Sequence, residues 1–165
     1  MEKEHKDIKT RSSHKEVVHY VLINSYSVFL VAIIFGVFFD AIMKTKIFSN
    51  YIYQNIGLLM LFVGPIIIYW AQATSSNYKK RIIKDETRSP FGLGPYRFLR
   101  SPTHFGLFIL TFGFGLVINS LYSVIFTIIA YFITKLFFLK KEEKILEKKY
   151  GQVYIDYKKK VKNWI

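Results

Sequence analysis

Long apolar runs alternate with short polar, mostly basic segments along this chain. The runs extend from about Val17 to Met43, Ile52 to Ala73, Pro102 to Ile118 and Leu121 to Leu139. Each is near the ~20 residues a helix needs to cross the hydrocarbon core of a bilayer, and the third is the shortest. Helices are the predicted form, because a helix satisfies its own backbone N–H and C=O groups in lipid and an open sheet does not. Only Asn119-Ser120 separates the third run from the fourth. That turn signal predicts an antiparallel helical hairpin. The expected fold is an all-α integral membrane protein with four transmembrane helices, a C-terminal helical hairpin and a cytoplasmic amphipathic C-terminal helix. One domain is expected over residues 1–165: a tail at 1–16, four spans within 17–139, and the amphipathic helix at 140–165.

The pattern changes after the fourth run. Leu146, Tyr150, Val153, Tyr154, Tyr157 and Val161 recur at helical spacing with lysines between them, which describes an amphipathic helix with Gly151 as its point of breakage. Such a helix fits a membrane surface held by aromatics and anionic headgroups. Within the spans, Gly64-Pro65 predicts a kink in the second. Tyr69 and Trp70 read as interfacial anchors, and Asp40 as an interfacial carboxylate near Lys44.

Charge orients this scaffold. The chain is 52% hydrophobic yet carries a formal net charge of +13. The basic residues border the apolar runs instead of forming one soluble face, so nucleic acid is excluded as the partner. Lysines and arginines crowd the N-terminal tail, the segment between the second and third runs, and the tail after the fourth. The loop after the first run carries only Lys44 and Lys46. The positive-inside rule then places both termini and the middle segment in the cytoplasm. Cysteine is absent, which excludes thiolate chemistry and disulfides. The four histidines, His5, His14, His19 and His104, make no ligand pattern, so no metal site is expected.

Two polar clusters carry the candidate chemistry. The first is "GLGPYRFLRSPTH", residues 92–104, before and into the third span; the second is "KKEEK", residues 140–144, leaving the fourth. The hairpin returns both to the same bilayer face, and contacting helices sit ~8–10 Å apart. His104 and the pair Glu142/Glu143 are therefore expected at the same depth on adjacent helices. Ser101 is a suitable N-cap with Pro102 at the first helical position. The resulting helix start, with Arg97 and Arg100, suits an anion. Gly92 and Gly94 permit close backbone approach to a ligand. Carboxylates near a helix C-terminus oppose the dipole, so Glu142 and Glu143 either pair with neighbouring lysines or meet a cation. A zwitterion with a carboxylate and separate cationic groups fits both clusters, and other amphiphilic or nucleotide ligands pass the same test.

These residues carry a resemblance. "GLGPYRFLRSPTHFG", a hairpin, and then "EEKILEKKYGQVYIDYKKKVKNWI" resembles the isoprenylcysteine carboxyl methyltransferase and phospholipid methyltransferase group of integral membrane enzymes over residues 92–165. The group's pattern is G-x-G-P-Y-x-x-x-R-H-P-x-Y-x-G, then E-E-x-x-L-x-x-x-F/Y-G-x-x-Y-x-x-Y. The resemblance implies S-adenosyl-L-methionine as cofactor, a zwitterion of the kind just described, and a lipophilic acceptor that enters from the bilayer. It implies cofactor binding by Gly92, Gly94, Tyr96, Arg100, Ser101, Pro102, His104, Glu142, Glu143, Tyr150 and Tyr154. Arg100 and His104 are the expected catalytic pair, and the tail with Tyr157 is expected to close the pocket. The chain departs from the pattern in having Ser101 at the motif histidine and His104 at the following tyrosine. The imidazole therefore stands three positions on, close to one helical turn. Membrane sterol and steroid reductases, which use NADPH, carry a somewhat similar Arg-His-Pro hairpin. The Glu-Glu pair and compact C-terminal helix favour methyl transfer, and a non-catalytic membrane protein on the same scaffold stays open.

Overall fold

The computed structural model describes residues 2–43, 51–82 and 92–161, with side chains from 23–43, 51–76, 92–148 and 150–161. Among the described residues it is all-helical. The helices are α1 (Glu2–Met43), α2 (Ile52–Ile82), α3 (Pro102–Val117), α4 (Leu121–Ile133), α5 (Lys140–Tyr150) and α6 (Gln152–Lys160). A 3₁₀ turn occupies Gly94–Arg97, and a π-helical turn, Thr134–Leu139, joins α4 to α5.

Among the described residues, three segments are long and apolar enough to cross a membrane: Ile23–Met43, Ile52–Ser76 and Leu121–Lys148. At the third expected span, about Pro102 to Ile118, the helix covers Pro102–Val117, 16 residues. At 1.5 Å per residue it reaches about 24 Å, short of a ~30 Å hydrocarbon core. Two helices also extend beyond the expected apolar runs. α1 begins at Glu2, inside the stretch expected to be a tail, because residues 2–16 contain neither Gly nor Pro to stop a helix growing from the apolar span. α2 continues through Pro65 to Ile82 and does not end near Ala73. Asp40 keeps one carboxylate oxygen buried without a hydrogen bond, and its expected neighbour Lys44 lies outside the described residues.

Packing is inverted relative to a water-soluble bundle. Large apolar side chains such as Leu30, Phe38, Leu59, Phe62 and Ile66 are exposed, where lipid would cover them. The buried face of α1 carries Ser25, Phe29, Ala32 and Gly36, and α4 answers with Ser123, Thr127 and Ala130. Lipid gives no hydrophobic drive between helices, so small residues that admit close backbones hold such pairs together. A Cβ at Gly36 would lie 2.5 Å from Ser123 Cα. On the other side, α2 meets α3 antiparallel. A Cβ at Gly57 would lie 2.8 Å from the Gly113 carbonyl oxygen, and one at Gly64 would lie 2.9 Å from that of Gly106.

The predicted hairpin is present, and its turn is specified in detail. Asn119 takes a left-handed φ of 54°. Asn119 N–H donates to Leu116 O and Ser120 N–H to Gly115 O, at 3.1 and 3.0 Å. That is a Schellman ending, with Asn in the position glycine usually fills. The Ser120 side chain then accepts from Ser123 N–H at 3.1 Å and caps α4. The expected C-terminal helix is two helices. Gly151, at φ 54° and ψ −132°, ends α5 and starts α6 in a conformation open mainly to glycine.

Candidate functional site

The wall of the site is built before α3. Gly92 and Gly94 have φ of 101° and 55°, so the chain turns there in ways a Cβ resists. A Cβ at Gly94 would also lie 2.5 Å from Thr74 Oγ1 on α2, which presses the turn onto that helix. Pro95 sets the start of the 3₁₀ turn and is buried. Its carbonyl accepts from Phe98 and Leu99 N–H at 3.1 and 3.0 Å. Ser101 stands at the N-cap of α3 and Pro102 follows, as expected, but the serine hydroxyl makes no capping bond. At φ −132° and ψ 68° Ser101 is outside the usual cap conformation, and its backbone carbonyl accepts from Phe105 N–H at 3.2 Å. The first-turn N–H groups of α3 thus have no intrahelical acceptor.

The opposite wall comes from α5. The π turn accommodates one more residue per turn than an α-helix, and each residue is worth about 100° of rotation. It sets the face that α5 presents, and that face carries Glu142 and Glu143 towards α3. Arg100 Nη1 donates to Glu143 Oε1 at 2.8 Å. Lys158 Nζ on α6 reaches Glu143 Oε2 and Glu147 Oε1, each at 2.9 Å. These contacts hold the Lys158 ammonium above its ordinary pKa, Glu143 contributing most. Glu143 therefore sits between two cations from different parts of the chain.

His104 occupies the deep end. The residue is 4% exposed. Nε2 lies 3.0 Å from Ser25 Oγ on α1, and Nδ1 lies 3.8 Å from Glu142 Oε2. Above it, Tyr157 O–H donates to the Tyr96 carbonyl at 2.7 Å and tethers α6 to the 3₁₀ turn. Burial pushes the Tyr96 phenol up to about 12, with Glu142 adding to the effect. Tyr154 and Tyr157 are pushed up as well, again first by burial.

Of the residues expected at the site, Tyr96, Arg100, His104, Glu142, Glu143 and Tyr154 come together, with Gly94, Ser101 and Pro102 forming the backbone between them. At Gly92, none of the described residues comes within 4 Å of where a Cβ would be. Tyr150 ends α5, half-buried beside Gly151. Ser25 and Lys158 were not expected here. Ser25 had a signal in the sequence, the polar stretch Asn24-Ser25-Tyr26-Ser27 inside an apolar span. Lys158 had none that separates it from the surrounding lysines.

Two buried polar atoms of the cluster have no hydrogen-bond partner, Arg100 Nε and Glu142 Oε2. One is a donor on a cation and the other an acceptor on a carboxylate. An amino-acid headgroup supplies the complementary pair, a carboxylate and an ammonium. The residues present thus fit the amino-acid end of S-adenosyl-L-methionine.

A family model described as phospholipid methyltransferase matches residues 52–153, more than half of the chain. No curated protein matches the chain, and no solved structure does. The matched stretch runs from α2 into α6 and holds the Gly-Pro-Tyr turn, Arg100, His104 and both glutamates. With three segments fit to cross a bilayer, the chain is an integral membrane protein, and it belongs to the phospholipid methyltransferase family.

Proposed function

We propose that the protein is an integral membrane methyltransferase that uses S-adenosyl-L-methionine to methylate a lipophilic acceptor arriving from the bilayer. One observation carries the reading: in a chain of this family, a partnerless buried guanidinium nitrogen and a partnerless buried carboxylate oxygen flank one cluster. Arg100 and the start of α3 would hold the cofactor's carboxylate. Glu142 would take its ammonium, and Glu143 would fix Arg100. Gly94, Tyr96 and Tyr154 complete the wall, with His104 towards the reacting end. When bound, S-adenosyl-L-methionine supplies a methyl group on a sulfonium, open to in-line displacement by a nucleophile. The protein's part is to position the reactants and exclude water. Tyr157 and Lys158 serve the second task by drawing α6 over the cluster.

Topology belongs to the same proposal. Pro102–Val117 would act as the fourth crossing, with both termini and the site on the cytoplasmic side, as the lysine distribution favours. A short helix is accommodated by local bilayer thinning.

Binding of tritium-labelled S-adenosyl-L-methionine to the purified protein in lipid nanodiscs tests the reading. Saturable binding is expected for the wild type, weakened about tenfold or more in Glu142→Ala/Glu143→Ala, as for loss of charge-assisted hydrogen bonds. No saturable wild-type binding would sink the proposal. Transfer of label into a lipid extract then identifies the acceptor class.

A further inference from the structure

We infer that the outer face of α5 is a binding site for anionic phospholipid headgroups, and that filling it steadies the wall that carries Glu142 and Glu143. The candidate span Leu121–Lys148 has 28 residues. At 1.5 Å per residue it is about 42 Å long, against a ~30 Å hydrocarbon core. With Leu121 at one border of that core, about the last eight residues stand beyond the other. Four exposed lysines lie there: Lys140, Lys141, Lys144 and Lys148. By helical rotation they fall in one arc of about 100°, on the side of α5 away from Glu142 and Glu143. Leu136 and Phe137, 51% and 66% exposed, stand one turn before Lys140 and Lys141. The same flank is thus apolar at the depth of lipid tails and cationic directly above it.

Charge complementarity names the occupant. Among the described residues, none of the four lysines pairs with a carboxylate. The acids of α5 are engaged elsewhere, Glu143 with Arg100 and Lys158, and Glu147 with Lys158. Lys140, Lys144 and Lys148 stand at i, i+4 and i+8, where like charges repel. Phosphates of the headgroup layer turn that repulsion into attraction, worth about fivefold in affinity per lysine. α5 carries these lysines on one side and the two glutamates of the site on the other. Holding the lysines at the headgroups therefore fixes the rotation of α5 about its axis, and with it where Glu142 and Glu143 face. The π turn at Thr134–Leu139 makes that rotation a variable, because converting it to α geometry would turn α5 by about 100°.

The effect on cofactor binding rests on the methyltransferase reading, while the headgroup site does not, so each has its own measurement. Electron paramagnetic resonance of spin-labelled phosphatidylglycerol and phosphatidylcholine, with the full chain in phosphatidylcholine vesicles, reads relative lipid association. The wild type is expected to favour phosphatidylglycerol about fivefold or more at low salt. Lys140→Gln/Lys141→Gln/Lys144→Gln/Lys148→Gln should lose most of that preference, and arginine at the same four positions should keep it. A wild type without preference overturns the inference, even if the glutamine variant fails to fold. An equal loss when Lys79, Lys80, Arg81 and Lys84 are changed to Gln instead would make net charge the cause and overturn it too. Displacement of the labelled lipid by millimolar glycerol phosphate would overturn the assignment to the bilayer. In nanodiscs, adding phosphatidylglycerol to phosphatidylcholine should tighten binding of tritium-labelled S-adenosyl-L-methionine about fivefold in the wild type and leave the glutamine variant unmoved. Equal wild-type affinity in the two bilayers overturns the coupling to the site. Absent wild-type binding in both defeats the methyltransferase reading, and leaves the lipid preference to decide the headgroup site.

Discussion

Glu143 held between Arg100 and Lys158 makes a quantitative double-mutant cycle. The three distances are short, 2.8 Å to Arg100 and 2.9 Å for each contact of Lys158. Burial differs, however: the Arg100 and Glu143 side chains are 13% and 16% exposed, and Lys158 is 38% exposed. Removing Lys158 alone leaves Glu143 with its more buried partner, so Lys158→Ala should cost about 0.5 kcal/mol, as for a screened surface pair. Arg100→Ala leaves Lys158 to compensate and should cost about 1–2 kcal/mol. Removing both strands a largely buried carboxylate, which should cost about 3–5 kcal/mol. The coupling is then about 1.5–2.5 kcal/mol beyond the sum of the single changes, well above the ~0.3–0.5 kcal/mol scatter of independent sites. Thermal unfolding of the four proteins in one detergent, followed by circular dichroism, measures the cycle. Additivity within that scatter would refute the shared-carboxylate arrangement.

Other expectations follow from the same geometry. Gly94→Ala should destabilise by about 1–2 kcal/mol from left-handed backbone strain, plus a steric part from the contact with Thr74. Adding Thr74→Ala in a melting series should recover the steric part only, and full recovery would refute the strain argument. Half-buried Tyr96 should ionise near pH 12 instead of 10. The native state then holds a proton that the unfolded state loses, so stability is fully present below pH 10 and falls as pH rises towards 12. Ultraviolet phenolate titration of the wild type against Tyr96→Phe checks this, and an ordinary midpoint for Tyr96 would count against its burial.

The apolar runs and the Asn119-Ser120 turn made the helices and the hairpin legible, because both are local signals. The pairing of His104 with Glu142 was readable from the hairpin's antiparallel return. What escaped reading was set by tertiary geometry. Nothing local marks Lys158 among its neighbouring lysines, since its role depends on the angle at Gly151. The π turn is equally silent, because "TKLFFL" reads as one more apolar helical stretch. Ser101 was read as a side-chain cap, but its backbone, at φ −132° and ψ 68°, stands outside the usual cap conformation and its hydroxyl makes no capping bond. α1 reaches back past the expected start of the first apolar span at residue 17, because hydropathy marks the lipid boundary while helix propensity sets where the helix stops.

The tether from Tyr157 and Lys158 back to Tyr96 and Glu143 has a consequence for the order of biosynthesis. Every membrane helix leaves the ribosome before residues 157 and 158 do. Until then Glu143 has only Arg100, and the Tyr96 carbonyl lacks its tyrosine donor. The bilayer-embedded part can therefore insert with its polar cluster still uncovered. The closing contacts form after insertion, from the aqueous side, and need no further passage of charge through lipid.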